Sequence, residues 1–107
     1  MLGKMIKNSH CFLIAVENGL ATGMGRAISD RTNDAYIQDV AVLKKRRKTG
    51  IGSEIIKRIV KKLEQDGIKW IGLIAQDNSS HFYKKLGFKT LNDSHPMIYP
   101  VRDTLTG

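Results

Sequence analysis

Apolar residues dominate positions 10–16, Glu17, Asn18 and Gly19 interrupt them, and positions 20–28 resume a mixed run. The pattern predicts a β-hairpin, because Asn-Gly supplies the positive φ angles that tight hairpin turns need. Gly23 and Gly25 in the second arm predict a bulge or a close backbone approach. A polar loop at 29–34 ends the hairpin, and 35–43, rich in Tyr, Ile and Val, predicts a third strand. Gln38 and Asp39 stand in the middle of that strand, where a carboxylate is expected to be buried.

Beyond Gly50-Ile51-Gly52 the period changes. Ile55, Ile56, Ile59, Val60 and Leu63 alternate with Lys57, Arg58, Lys61 and Lys62. This spacing predicts an amphipathic helix, stopped at Gly67. Residues 70–75 predict a strand apolar enough to be central. Asn78, Ser79 and Ser80 suit a helix start, and the short helix places Phe82, Tyr83 and Leu86 on one face before Gly87 ends it. Residues 88–91 and 97–101 predict two further strands. The order is strand, strand, strand, helix, strand, helix, strand, strand, with no repeat and no linker.

A chain of 107 residues accommodates one compact domain, so a large ligand has to lie against the outside of the sheet. Its net charge is +8, from 18 Lys plus Arg and 10 Asp plus Glu. Much of the excess is local: without the consecutive Lys44, Lys45, Arg46, Arg47 and Lys48, 13 basic residues face 10 acidic ones. Such a run attracts anions or is a solvated loop. Cys11 is the single cysteine, which excludes an intramolecular disulfide and a cysteine-rich zinc site. His10, His81 and His95 lack metal-ligand spacing, so no metal is expected. The longest early apolar stretch, 11–16, is too short for a signal-peptide core or a membrane span, which makes the cytoplasm the expected compartment.

The loop Arg47-Lys48-Thr49-Gly50-Ile51-Gly52 joins a strand directly to a helix. Glycines there let the backbone approach a phosphate, and unpaired N–H groups at the helix start point at it. A tight strand-to-helix turn explains the same glycines. Two competing phosphate loops fail on particular residues. The dinucleotide fingerprint requires glycine where Ile55 stands, and the nucleotide-hydrolase loop requires Gly-Lys-Ser or Gly-Lys-Thr, whereas this chain has Lys48-Thr49-Gly50.

Arg47-x-x-Gly50-x-Gly52 resembles the acyl-CoA pyrophosphate motif of the GNAT superfamily of N-acetyltransferases. The segment Asn78-Ser79-Ser80-His81-Phe82-Tyr83-Lys84-Lys85-Leu86-Gly87-Phe88 resembles a second signature of that family, in the same order along the chain. The resemblance implies an α/β fold of the α+β kind: a mixed, mainly antiparallel central sheet with helices on its faces. It covers about residues 10–100 of a single 1–107 domain. It implies acetyl-CoA as cosubstrate and transfer to a primary amine of a small molecule or peptide by direct attack. The backbone of Val40, Ala41 and Val42 then pairs with the pantetheine arm, as an added strand does. Arg47, Lys48, Thr49, Gly50, Ile51 and Gly52 cradle the pyrophosphate, and Asn78 binds the amide arm unless it only caps its helix.

In the same resemblance Tyr83 is the general acid for the departing thiolate. A phenol with pKa about 10 can protonate a thiolate of conjugate pKa about 8.5 and stays protonated itself at neutral pH. Asp39 is the candidate base, since an amine acceptor is mostly ammonium at pH 7; a structural carboxylate paired with Arg or Lys is the competing role. The family's first strand and following helices are missing or reduced to residues 1–9, an amino-terminal truncation that leaves the acceptor undefined. A non-catalytic acyl-CoA sensor is therefore an alternative. Nucleic-acid binding through residues 44–48 is disfavoured, because few aromatics are available for stacking, and no membrane partner is expected. The uninterrupted apolar strand at 11–16 predicts an exposed sheet edge and, with it, a homodimer.

Overall fold

The computed structural model describes residues 2–101 of the chain. Two compact units make it up, Met1–Leu73 and Ile74–Gly107. The first holds α1 (Leu2–Asn8), β1 (Cys11–Glu17), β2 (Leu20–Ser29), β3 (Asp34–Val42), a 3-10 turn at Lys44–Arg46, α2 (Ile51–Gln65) and β4 (Trp70–Gly72). The second holds α3 (Ser80–Lys85).

The four strands form one sheet in the order β1-β2-β3-β4. β1 and β3 each run antiparallel to β2, and β4 runs parallel to β3, so the sheet is mixed and mainly antiparallel as expected. The hairpin turns at Asn18 and Gly19, with φ of 50° and 79°. β1 lies at one edge of the sheet, with Ile14 and Val16 exposed.

α2 covers one face of the sheet, packing on β1, β2 and β3. Its apolar stripe is the one its spacing predicts: Ile55, Ile56, Ile59 and Leu63 are buried. Burying each such side chain contributes about 1.5–3 kcal/mol. Opposite them lie Ala27, Ala35 and Ile37, also buried. The helix comes close because β2 has no side chains in the way. A Cβ on Gly25 would stand 2.7 Å from Ile55 Cγ2, and one on Gly23 would stand 3.0 Å from Ile51 Cγ2.

β3 carries a bulge. Arg26 pairs with Gln38 and Met24 with Ala41, so Asp39 and Val40 together oppose Gly25. Ala35 and Ile37 are buried, and beyond the bulge the half-buried positions are Val40 and Val42. The extra residue shifts the two-residue alternation by one place, which keeps both pairs on the α2 side.

Three expectations need correction. The strand at 70–75 is only Trp70–Gly72, and it ends the strand order rather than lying in its middle. Its ladder with β3 spans only Asp34 to Tyr36, just before the bulge bends β3. Segments 88–91 and 97–101 are not strands among the described residues, and Met97, Ile98, Tyr99 and Val101 are exposed. Strand propensity is realised only against a partner strand and a packed face. Residues 2–8, given no element from sequence, form α1, which buries none of its residues. No helix of the described residues is long and apolar enough to cross a membrane.

Candidate functional site

The loop between β3 and α2 is shaped by backbone conformations that few residues adopt. Lys48 has φ of 65°, and Gly50, at the N-cap of α2, has φ of 90° and ψ of −2°. Left-handed backbone favours glycine, and a Cβ on Gly50 would meet nothing within 4 Å, so the space over the loop is open. The Glu54 N–H donates to Gly50 O at 3.0 Å, closing the first helical turn. The N–H groups of Ile51, Gly52 and Ser53 precede that bond and have no intrahelical acceptor. They sit at the positive end of a 15-residue helix dipole.

The basic run divides into two roles. Arg46 donates from Nε and Nη2 to the Glu17 carboxylate at 3.1 and 2.6 Å, which ties the loop to the end of β1. Thr49 donates its hydroxyl to Arg46 O at 2.5 Å and tightens the turn. Arg47 reaches back to Val42 O at 3.4 Å. Lys44, Lys45, Arg47 and Lys48 are exposed. A polyanion at the loop thus meets free N–H groups and several cations, while Arg46 is committed to Glu17.

Val40, Ala41 and Val42 continue β3 past the point where β4 stops pairing, since that ladder ends at Tyr36 and Gly72. On the other side Ala41 and Val42 pair with Met24 and Gly23. One edge of β3 is therefore left without β4 for the length of these three residues. An extended amide chain can add there as a strand does.

Asp39 is not buried as expected. Its φ is 56°, it stands in the bulge, and its side chain keeps 45% of its exposure. Arg26 Nε donates to Asp39 Oδ2 at 2.7 Å, and Arg26 Nη1 also donates to Ser9 Oγ at 3.2 Å. The bulge turns the carboxylate out of the α2-facing core, toward the face of the sheet that α2 leaves open. That face carries a concavity of about 450 Å³, lined among others by Leu2 of α1, by Phe12, Ile14 and Met24, and by Ala41.

Within the second unit, Asp77 and Asn78 are both left-handed, with φ of 51° and 63°, and lead into α3. Ser79 occupies the N-cap position without a side-chain hydrogen bond, so Asn78 is not the capping residue. Tyr83 stacks edge-on against Phe82 and Phe88, with ring centroids 5.0 and 5.7 Å apart. Burial among these rings pushes the Tyr83 phenol above its ordinary pKa. The phenol accordingly stays protonated at neutral pH.

Sequence reading missed a polar cluster that fixes the start of β1. His10, its side chain 6% exposed, bonds through Nδ1 to Ser29 Oγ at 2.6 Å and through Nε2 to Asp66 Oδ2 at 2.7 Å. The bonds from His10 and then Lys62 hold the Asp66 carboxyl below its usual range. These partners are 19 and 56 residues from His10, and no local pattern announces them. Among the described residues no group of His, Cys, Asp and Glu is arranged to hold a metal.

A family profile described as an acetyltransferase (GNAT) domain matches residues 1–96. An uncharacterized N-acetyltransferase, ycf52, of Pyropia yezoensis is 33% identical over 87 residues, which is 78% of this chain and 50% of that protein. The chloroplastic GCN5-related N-acetyltransferase 3 of Arabidopsis thaliana is 34% identical over 87 residues, covering 81% of this chain and 36% of its own length. The chain thus spans half or less of these two relatives. Among solved structures, a protein of unknown function from meticillin-resistant Staphylococcus aureus superposes with a TM-score of 0.81 at 27% identity, over 92% of this chain and 75% of that one. A GNAT family acetyltransferase of Streptococcus pneumoniae gives 0.82 at 24% identity, over 94% and 78%, a likeness of fold.

Proposed function

Because this chain belongs to the GNAT family of acetyltransferases, we propose that it transfers an acetyl group from acetyl-CoA to a primary amine of a small molecule or peptide. The observation that carries the reading is the start of α2: a left-handed Gly50 under open space, followed by unpartnered N–H groups and flanked by exposed cations. That donor set suits a pyrophosphate, which has several anionic oxygens and no donors.

Acetyl-CoA supplies the activated acyl group as a thioester. Backbone groups of Ile51 and Gly52 bind its pyrophosphate, with Arg47, Lys48 and Thr49 around them. Val40, Ala41 and Val42 offer N–H and C=O groups along a strand edge, which holds an amide arm extended and fixes its direction. For Asn78, in the second unit, the family resemblance alone suggests a contact to the cosubstrate's amide arm, for which its side-chain amide offers both a donor and an acceptor. Direct attack requires an uncharged amine, and Asp39, exposed on the open face, accepts the proton that the ammonium must lose. Arg26 holds that carboxylate in place, donating from Nε to Oδ2 at 2.7 Å. Tyr83, its phenol held protonated by burial, donates to the departing sulfur.

Isothermal calorimetry with acetyl-CoA tests the reading. Micromolar binding is expected, and Gly50→Val is expected to abolish it, since a branched side chain strains the left-handed backbone and fills the open space. No heat up to millimolar acetyl-CoA sinks the proposal. We also place a homodimer contact on the exposed edge at β1, where Val16 and Leu20 present apolar side chains; sedimentation as a 12.0 kDa monomer removes it.

A further inference from the structure

The open face of the sheet has a chemistry of its own. Phe12 and Ile14 on β1, Met24 on β2 and Ala41 on β3 lie in adjacent rows, and Leu2 and Leu43 complete the walls of the 450 Å³ concavity. That volume falls within the range of about 300–1,000 Å³ usual for small-molecule sites. Two polar side chains join the lining, Thr22 and Lys44. The Thr22 hydroxyl is already spent on Ala15 O at 3.3 Å, and Lys44 stands where the chain leaves the sheet for the basic loop. A polyhydroxylated ligand in this concavity would lose its hydrogen bonds to water and find few replacements.

One row along the same face, Arg26 lies across from Phe12 on one side and Gln38 on the other, and holds Asp39. Two residues of strand separate Arg26 from Met24, roughly 7 Å. Of the Asp39 carboxylate, Oδ2 is the oxygen bound to Arg26, and nearly half of the side chain is open to solvent. An apolar hollow with a carboxylate one row from it matches a ligand that is apolar at one end and cationic at the other.

We infer that this concavity takes the apolar body of the acceptor, so that the substrate class is a primary amine on an aliphatic or aromatic body, its ammonium end toward Asp39. The assignment as acceptor rests on the acetyltransferase reading; the binding site itself does not. The same chemistry belongs to a free alkyl- or arylalkylamine and to a polypeptide whose terminal amine is followed by an apolar side chain.

Methyl-labelled protein, with ¹³C in Met and Ile methyl groups, is titrated with butylamine, pentylamine, hexylamine, phenethylamine, a pentapeptide beginning with Leu, and glucosamine, each with and without acetyl-CoA. The Met24 and Ile14 methyl signals are expected to shift with the apolar amines, with affinity rising about four-fold per added methylene. Glucosamine is expected to move neither. Shifts from the alkylamines alone assign a free amine, and equal shifts from the Leu peptide assign a polypeptide terminus. Ile14→Asn and Met24→Gln, both at positions outside the α2 core, should each weaken hexylamine binding about ten-fold while acetyl-CoA affinity is unchanged. Absence of shifts at saturating hexylamine, affinity independent of chain length, or glucosamine binding as well as hexylamine each overturns the assignment. Acetyl-CoA binding is read by calorimetry on the same samples. Cosubstrate binding without methyl shifts removes the concavity, whereas methyl shifts without cosubstrate binding remove the acetyltransferase reading and leave the apolar-amine site standing.

Discussion

Replacing Gly25 by alanine adds one methyl group where α2 crosses the sheet. Its Cβ would lie 2.7 Å from Ile55 Cγ2, 3.2 Å from Ile59 Cδ1 and 3.5 Å from Val40 Cγ2. Ordinary carbon contacts lie at about 3.5–4.0 Å, so the Ile55 contact is short by about 1 Å. Ile55 is 4% exposed, and its Cγ2 branches from Cβ, where a helical isoleucine has one strongly preferred rotamer. The methyl cannot swing aside, and the helix must move. Overpacking of this kind costs about 1–3 kcal/mol. Loss of backbone freedom in the unfolded chain returns about 0.4–1 kcal/mol, which leaves Gly25→Ala destabilised by about 1–2 kcal/mol. Urea unfolding followed by the emission of Trp70, the single tryptophan, reads the first unit directly. With a slope of about 1–2 kcal/mol/M, the midpoint should fall by about 1 M. Ile55→Leu moves the branch one carbon outward, so the double variant should recover about 1 kcal/mol relative to additivity. An unchanged or raised midpoint in Gly25→Ala, or strict additivity in the pair, refutes the contact argument.

Tyr83→Phe should lower turnover by about 10²-fold or more with acetyl-CoA affinity nearly intact, as steady-state rates and calorimetry together will report; equal loss in both would return Tyr83 to packing alone. Because burial raises the Tyr83 phenol, its contribution to stability is complete below about pH 10 and is lost as pH climbs through the raised folded value, an alkaline limb that Tyr83→Phe should flatten. Asp66 shows the opposite sign: its depressed carboxyl contributes stability above about pH 4 that is lost as pH falls through the folded value, so Asp66→Asn should flatten the acid limb of a thermal-melting profile. Deleting Asp39 should leave a folded protein, since Val40 and Val42 then resume the alternation of Ala35 and Ile37 without a bulge, but acetyl-CoA binding should weaken as β3 straightens. Circular dichroism and calorimetry separate the two effects, and an unfolded deletion variant would contradict the register.

Features that depend on neighbours in sequence were legible before the fold was known. The Asn18-Gly19 turn follows from dihedral preference, and the α2 stripe from a 3.6-residue period that burial of Ile55, Ile56, Ile59 and Leu63 matches. The tight approach at Gly23 and Gly25 was readable because a strand interior rarely spends two glycines on nothing else. What escaped depends on partners far along the chain. His10, Ser29 and Asp66 meet only after β1, β2 and the end of α2 are in place. Segments 88–91 and 97–101 carry strand propensity without a partner among the described residues, and propensity alone does not make a ladder.

The bulge at Asp39 lies between these cases, because its sign was present in the sequence and was read as something else. A strand that alternates in and out should not place two polar residues in succession between inward apolar ones. Gln38 and Asp39 do so between Ile37 and Val40, and a buried carboxylate was the wrong inference from that pair. An inserted residue explains it without burying charge: Asp39 takes the left-handed conformation, which aspartate tolerates better than a branched residue, and turns toward Arg26. The same insertion keeps Val40 and Val42 on the α2 side and Ala41 on the open face, beside Met24. It follows the end of the β4 ladder at Tyr36 by three residues, and a bulged strand bends. One residue thus accounts for the exposed carboxylate, for the strand edge available to an extended ligand, and for the side chains that floor the apolar concavity.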